Sequence, residues 1–281
     1  MLWGVVTSAS AYSPLELTGT SYTETFDGIS SGLPAGWSVK TNASAAYLGS
    51  PNVVTTAATA WGSTSGQFAN FAGTTHDGIP FTGTESSAIQ AAATDRCLGI
   101  RQSSSFGDPG AAFVLQLQDT RGFEGFEVSL DFNMLSVQLR STIWTVDYAV
   151  GNSPGTFTAL GTYADPGTFG STNKTFSFGT ALDNQSQNVW IRIVALSSST
   201  GTVGRDTFGI DNFRLSYRAV PPEPLNIQLI GTNAVLSWTN PGCILQAAPA
   251  IDGLYTNVPG ALSPHTNPIT SAQKYFRLKP N

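Results

Sequence analysis

Two Gly-x-Ser-x-Gly segments offer the first candidate nucleophiles, Gly28-Ile29-Ser30-Ser31-Gly32 and Gly151-Asn152-Ser153-Pro154-Gly155. A nucleophile elbow sets its serine on a strained strand-to-helix turn, with an acid and a histidine base supplied later in the chain. Neither segment runs into a helical pattern, and Pro154 stands where an elbow would become helix. Either His76 or His265 would also have to come within hydrogen-bond reach of Ser30 or Ser153. With 29 glycines in the chain, such matches arise by chance, and a serine hydrolase is disfavoured.

Paired carboxylates are the next chemistry to test. Glu124, Glu127 and Asp131 lie close in sequence. On one strand Glu127 and Asp131 would share a face about 13 Å apart. Glycosidase pairs need roughly 5–10 Å. These acids read as the solvated face of an antiparallel sheet, while acids from separate strands could still converge, which keeps a polysaccharide hydrolase as an alternative. Zinc and copper are disfavoured, because His76 and His265 are far apart and neither Cys97 nor Cys243 joins them.

Aromatic side chains carry the remaining signal. A sugar-binding surface stacks pyranose rings on Trp or Tyr and orients them with planar polar groups. Trp190 and Arg192 share the non-core face of Val189–Ile193, and Trp61 and Tyr163 fall in turn-rich stretches. These four are the candidate ligand-binding residues. The plainer alternative for Trp190 is a cap on the sheet beneath a loop.

The elements that must position these residues are strands. Apolar and polar residues alternate from Phe126 to Met134, so one face is core and the other wet. Phe113, Leu115 and Leu117 form one inward set, and Trp144, Val146, Tyr148 and Val150 another. The segment from Phe208 to Leu215 reads as a last strand carrying Ile210 or Phe213 inward. Turn signals such as Asp165-Pro166-Gly167 separate the strands. The one helix-like stretch is Ser86 to Asp95. Many strands and frequent turns imply an all-β fold, an antiparallel jelly-roll β-sandwich over residues 21–218.

A Pro-rich linker, 219–224, contains Pro221, Pro222 and Pro224. Residues 225–281 then form a small immunoglobulin- or fibronectin-III-like β-domain, with strands at Leu225–Ile230, Ala234–Trp238, Cys243–Ala247 and Lys274–Lys279. So short a unit has a marginal core. Residues 1–20 read as a leader or N-terminal extension. Leu2–Val6 is a short apolar run and Ala9-Ser10-Ala11 has the small-x-small form of a signal-peptidase site, but a basic n-region is missing. The remnant of an export signal is favoured over an ordinary terminal strand.

Composition bounds the function. Charged residues are only 11% of the chain, against about 25% in an average soluble domain. The net charge is −5 and the basic residues are scattered, which argues against nucleic acid as a partner. No stretch approaches the ~20 apolar residues of a membrane span. Cys97 and Cys243 are compatible with two free thiols or with one inter-domain disulfide.

Three segments together resemble a group of secreted bacterial jelly-roll domains related to carbohydrate-binding modules and adhesive MAM-type domains. They are Glu24-Thr25-Phe26-Asp27-Gly28 with Leu33-Pro34-Ala35-Gly36-Trp37, then Asp95–Arg101, then Gly209-Ile210-Asp211-Asn212-Phe213. The tail resembles a short C-terminal β-domain of such proteins through Ala234–Trp238, Cys243–Gln246 and Tyr275–Leu278. The resemblance implies export or a cell-surface location. It also implies a structural calcium between the first and last strands, held by Glu24 or Asp27 together with Asp211. Asp27-Gly28 and Asp211-Asn212 would otherwise merely shape turns. The leading expectation is a non-catalytic extracellular module that binds glycan or another surface polymer. A structural or adhesive protein, capable of self-association, is the alternative.

Overall fold

The computed structural model describes residues 13–270 and 273–280. The apolar run at Leu2–Val6 and the small-residue site at Ala9–Ala11 lie outside them. In chain order the first strands are β1 (Ser21–Glu24), β2 (Trp37–Thr41), β3 (Ser50–Asn52), β4 (Val54–Thr59) and β5 (Gln67–Ala72). A short hairpin, β6 (Thr75–His76) and β7 (Ile79–Pro80), leads to α1 (Ser87–Ala92), the one α-helix among the described residues. Then follow β8 (Arg96–Arg101), β9 (Ala112–Leu117), β10 (Phe123–Ser136), β11 (Arg140–Ser141), β12 (Trp144–Val150) and β13 (Thr158–Tyr163). The large unit closes with β14 (Gly170–Ser177), β15 (Val189–Val194), β16 (Thr200–Gly201) and β17 (Thr207–Ala219).

These strands form an antiparallel β-sandwich. One sheet runs β14-β10-β17-β8-β5-β4, with β1 also on β17, and the other runs β13-β12-β15-β9-β2-β3. The chain crosses repeatedly between the sheets, as a jelly roll requires. Every pairing in them is antiparallel except β4 with β5, which is parallel. The inward sets read from alternation meet in one core, where Trp144 stacks on Phe208 with ring centres 4.3 Å apart and Trp37 meets Phe213 edge-on at 5.0 Å. Both Ile210 and Phe213 enter that core, although they are three residues apart. A register shift opposite Ser129–Asp131 and a positive φ of 46° at Asn212 make this possible. Such a bulge inserts a residue and turns the next side chain to the other face.

The outer faces of both sheets are also largely covered. On the six-stranded sheet, Ala112, Val114, Ala149, Trp190 and Val194 form a second apolar cluster with Ala43 and Phe157 from loops. On the seven-stranded sheet, Ala69, Phe71, Cys97 and Leu135 pack against Trp61 and Ala93. Gly99 and Gly209, paired across β8 and β17, leave room there: a Cβ on Gly99 would sit 2.5 Å from the Phe71 ring, and one on Gly209 2.7 Å from Cys97 Sγ. Helix α1 is capped by Ser86, whose hydroxyl accepts from the Ile89 amide. Arg96 anchors the helix, bonding Asn70 through Nε and the Gln90 carbonyl through Nη1.

The chain divides into two compact units between Val220 and Pro221. The expected leader boundary at residue 20 requires correction. The Leu15 amide donates to Gln116, the Gln118 amide donates to Leu15, and Leu17 is buried in the sandwich core, so the sandwich recruits chain from Leu15 onward. The smaller unit holds two three-stranded antiparallel sheets. They are β18 (Asn226–Ile230), β19 (Asn233–Ser237) and β22 (His265–Pro268), and β21 (Thr256–Asn257), β20 (Cys243–Ala248) and β23 (Tyr275–Pro280). Its core gathers Leu236, Trp238, Cys243 and Leu245. Cys97 and Cys243 are both free and buried.

Candidate functional site

The bulge at Asp211–Asn212 places the Asp211 carboxylate on the covered face of the seven-stranded sheet, only 2% exposed. One of its oxygens accepts from the Asn212 amide at 2.6 Å. Burial first, and then the neighbouring charges of Asp95, Asp27 and Asp131, push its pKa up to about 9. Asp27 Oδ1 accepts from the Arg96 amide and Asp95 Oδ2 from Thr75, while Asp131 accepts from Asn173 and Asn212. Asp95 and Asp131 are members of this acidic set that sequence reasoning missed. Asp95 stood within a quoted motif, but nothing in its spacing tied it to Asp211.

Glu24 is not drawn into the set. Its carboxylate accepts from the Phe26 amide at 2.8 Å and from the Tyr22 hydroxyl at 3.4 Å, within its own end of β1. Asp27 and Asp211 do sense one another. All donors in the set are hard oxygens, and Asp211 lacks a cationic hydrogen-bond partner among the described residues, which suits an oxygen-seeking ion. As the side chains stand, no group of three or more His, Cys, Asp or Glu among the described residues converges closely enough to hold one. Beside Asp27 a groove of about 520 Å³ is walled by Ser30, Thr56, Asn70, Thr94 and Arg96.

The four aromatic and cationic candidates require correction as exposed platforms. Trp190 is 8% exposed and its indole N–H donates to the Gly151 carbonyl at 2.7 Å. Arg192 is fully buried: Nε and Nη2 clasp both oxygens of Asp147 at 2.8 and 2.7 Å. Its remaining donors reach the Tyr47 and Ser44 carbonyls, and Phe157 lies 3.2 Å beneath the guanidinium. These groups tie loops onto the sheet. Tyr163 is 3% exposed and stacks on Phe132 in the core, with ring centres 4.6 Å apart.

Trp61 is also buried at 2%, yet it borders open space. Its amide donates to Gln90 and its indole N–H to the Ala72 carbonyl. Phe81 and Phe169 flank the ring at 5.5 and 4.9 Å. Trp61, Phe169, Leu135 and Val137, with Thr82, Gln90 and Ser136, line a cleft of about 360 Å³. Phe169, which the sequence reading passed over, is the partly exposed aromatic ring of this cleft.

Within the described residues of the larger unit, no hydrogen bond joins Ser30 or Ser153 to His76. Ser30 sits in a 3-10 turn, Ile29–Ser31, and Ser153 in a loop. His76 lies 3.7 Å from Asp77 and stacks on Phe81, and His265 belongs to the other unit. Glu124 pairs with Arg218 at 3.0 Å, and Glu127 is exposed. Among the described residues no helix is long and apolar enough to cross a membrane.

No family model and no curated protein matches the chain. Among solved structures it is similar to the K1 cleaved adhesin domain of Lys-gingipain from Porphyromonas gingivalis W83, at 14% identity, covering 72% of this chain and 100% of that one, with a TM-score of 0.39. The CBM22-1 xylan-binding domain of Paenibacillus barcinonensis Xyn10C is 11% identical, covering 57% of this chain and 99% of that one, with a TM-score of 0.33. An apo cyclase from Fischerella sp. is 12% identical, covering 73% and 91%, with a TM-score of 0.39.

Proposed function

We propose that the protein is a non-catalytic extracellular module that binds a neutral or weakly anionic polymer, a polysaccharide foremost. The cleft beside Trp61 carries this reading. Its apolar wall of Phe169, Leu135 and Val137 faces Gln90, Thr82 and Ser136, and no charged side chain among the described residues lines it. A pyranose ring has apolar C–H faces and hydroxyl edges, and needs both kinds of wall. With a net charge of −5, affinity comes from stacking and directional hydrogen bonds rather than from electrostatic attraction.

A calcium ion is the proposed companion, held by the Asp27 and Asp211 carboxylates with backbone carbonyls completing its shell, since no three acidic side chains among the described residues converge there as they stand. It would neutralise a buried carboxylate set and fix the bulge of the last strand. Extracellular calcium sites work at roughly 10⁻⁴–10⁻³ M, within reach of ordinary titration.

The test is retardation in native gels containing soluble polysaccharides, with Phe169→Ala compared against the parent. Loss of retardation with the fold intact supports the cleft. A folded Phe169→Ala protein that is retarded like its parent would remove the cleft from the reading. Release of reducing sugar would replace the binding module with a hydrolase.

A further inference from the structure

The loop that carries Phe169 is fastened at its other end by a second pair of carboxyl groups, remote in sequence from Asp211. Asp165 follows β13, and Asp206 precedes β17. Both are held by the turn around β11: the Gln138 amide donates to Asp206 Oδ1 at 2.6 Å, and the Ser141 hydroxyl to Asp165 Oδ2 at 2.8 Å. The Gly167 amide takes the other oxygen of Asp165 at 2.7 Å. Asp206 is 7% exposed, and its Oδ2 is buried without a hydrogen-bond partner. The same turn gathers the two carboxyls, Gln138 holding the one and Ser141 the other, and Asp206 feels the charge of Asp165. Ser141 has already spent its one proton on Asp165, so two ionised groups would present acceptor to acceptor.

Among the described residues no cation makes a hydrogen bond or ion pair with either carboxyl. Arg101, reaching in from β8, feels the charge of Asp206 but donates through Nη1 to Thr207 at 2.9 Å. Arg205 is taken by Asp108. Arg140 on β11 has a buried Nε without a hydrogen-bond partner among the described residues. A single added proton resolves the pair, turning Asp206 Oδ2 into a donor towards Asp165.

We propose that Asp206 and Asp165 share one proton, and that this carboxyl–carboxylate hydrogen bond clamps the 164–169 loop onto the β11 turn, so that the Phe169 wall of the cleft is firm in mild acid and loosens when the proton leaves. Burial, reinforced by Asp165, pushes Asp206 up to about 6 against the pull of the Gln138 amide, which places the transition in a physiological range. The consequence for ligand, weaker binding above the transition, rests on the polymer-binding reading. The clamp itself does not.

The test needs no ligand. Carboxyl-carbon NMR on the full chain should find an aspartate titrating near 6, absent in Asp206→Asn. Hydrogen exchange of the 164–170 amides, corrected for intrinsic rates, should lose at least about tenfold in protection between pH ~5 and ~7.5. Asp206→Asn and Asp165→Asn each supply a permanent donor and should hold that protection at both pH values; either variant suffices if the other fails to fold. Loop protection independent of pH in the parent, or Asp206 titrating below about 4.5, overturns the clamp. So does a loop protected near pH 7.5 only in millimolar calcium, since the pair would then be a cation site. Polysaccharide binding absent at every pH, with the loop still pH-sensitive, removes the binding reading and leaves the clamp standing.

Discussion

Replacing Asp211 by asparagine should stabilise the protein in chelator and cost it its response to calcium. The carboxyl would ionise near 3.8 in the unfolded chain but is pushed to about 9 when folded. The folded state therefore holds a proton that the unfolded state releases. Stability from this group is complete below about pH 4 and falls by roughly 1.4 kcal/mol per pH step until the folded value is reached. At pH 7 the accumulated cost is roughly 4 kcal/mol, an upper bound because water entry and relaxation soften it. Asparagine keeps the shape of the side chain and sheds the titration. Urea denaturation in chelator should show Asp211→Asn gaining about 2–4 kcal/mol over the parent at pH 7 and little at pH 4. In millimolar calcium that gap should narrow by about 0.5–2 kcal/mol, since the parent alone recruits the ion as a full carboxylate ligand. A parent midpoint that is flat from about pH 5 to 8 in chelator, with Asp211→Asn less stable throughout, would mean the carboxylate is already compensated.

Trp190→Ala should lower stability by about 3–5 kcal/mol, the cost of emptying a packed aromatic site, and should affect any binding only through the fold; calorimetry on the folded fraction separates the two. Arg192→Met and Asp147→Asn should each cost about 3–5 kcal/mol by orphaning a buried charge or its partner, with the double variant costing less than the sum in denaturant titration. Cys97, buried beneath the outer face of the seven-stranded sheet, should resist thiol reagents in the native protein and react on unfolding, read by mass spectrometry. The isolated segment 221–281, with its small buried core, should melt with little cooperativity in a calorimeter.

Alternation along a strand reports which side chains share a face, and here it did so faithfully. Phe113, Leu115 and Leu117 point one way and Trp190 and Arg192 the other, and those faces follow from period two alone. The last strand kept both Ile210 and Phe213 inside because Asn212 adopts a positive φ, a backbone choice that asparagine tolerates and that the pattern left as an alternative. The helix at Ser87–Ala92 was legible from Ser86 and the alanines. The parallel pairing of β4 with β5 was not, because uncharged Val54–Thr59 carries no signal of its partner. The two carboxyl clusters were half visible: Asp27, Asp95 and Asp211 sat in motifs and Asp165 in a turn signal, but which acids meet is set by long-range pairing that no local spacing carries.

The misplacement of Trp190 and Arg192 has a physical source with consequences for function. A face that is not the core is exposed only if nothing covers it, and period two carries no information about loops folded back over a sheet. Here Ser44, Tyr47 and Phe157 return over one outer face, and Trp61 and Phe169 over the other. Covering both faces buries the aromatics that a flat platform would present. On the polymer-binding reading, recognition would then lie at the seams where the covering segments meet the sheet. The cleft between Phe169 and Trp61 is such a seam, and one of its walls is a loop rather than a strand. A wall of that kind is set by the few bonds that hold the loop down, among them Ser141 to Asp165. Binding at a seam would therefore be tuned by charge and proton at the loop's anchor, while the sandwich beneath stays fixed.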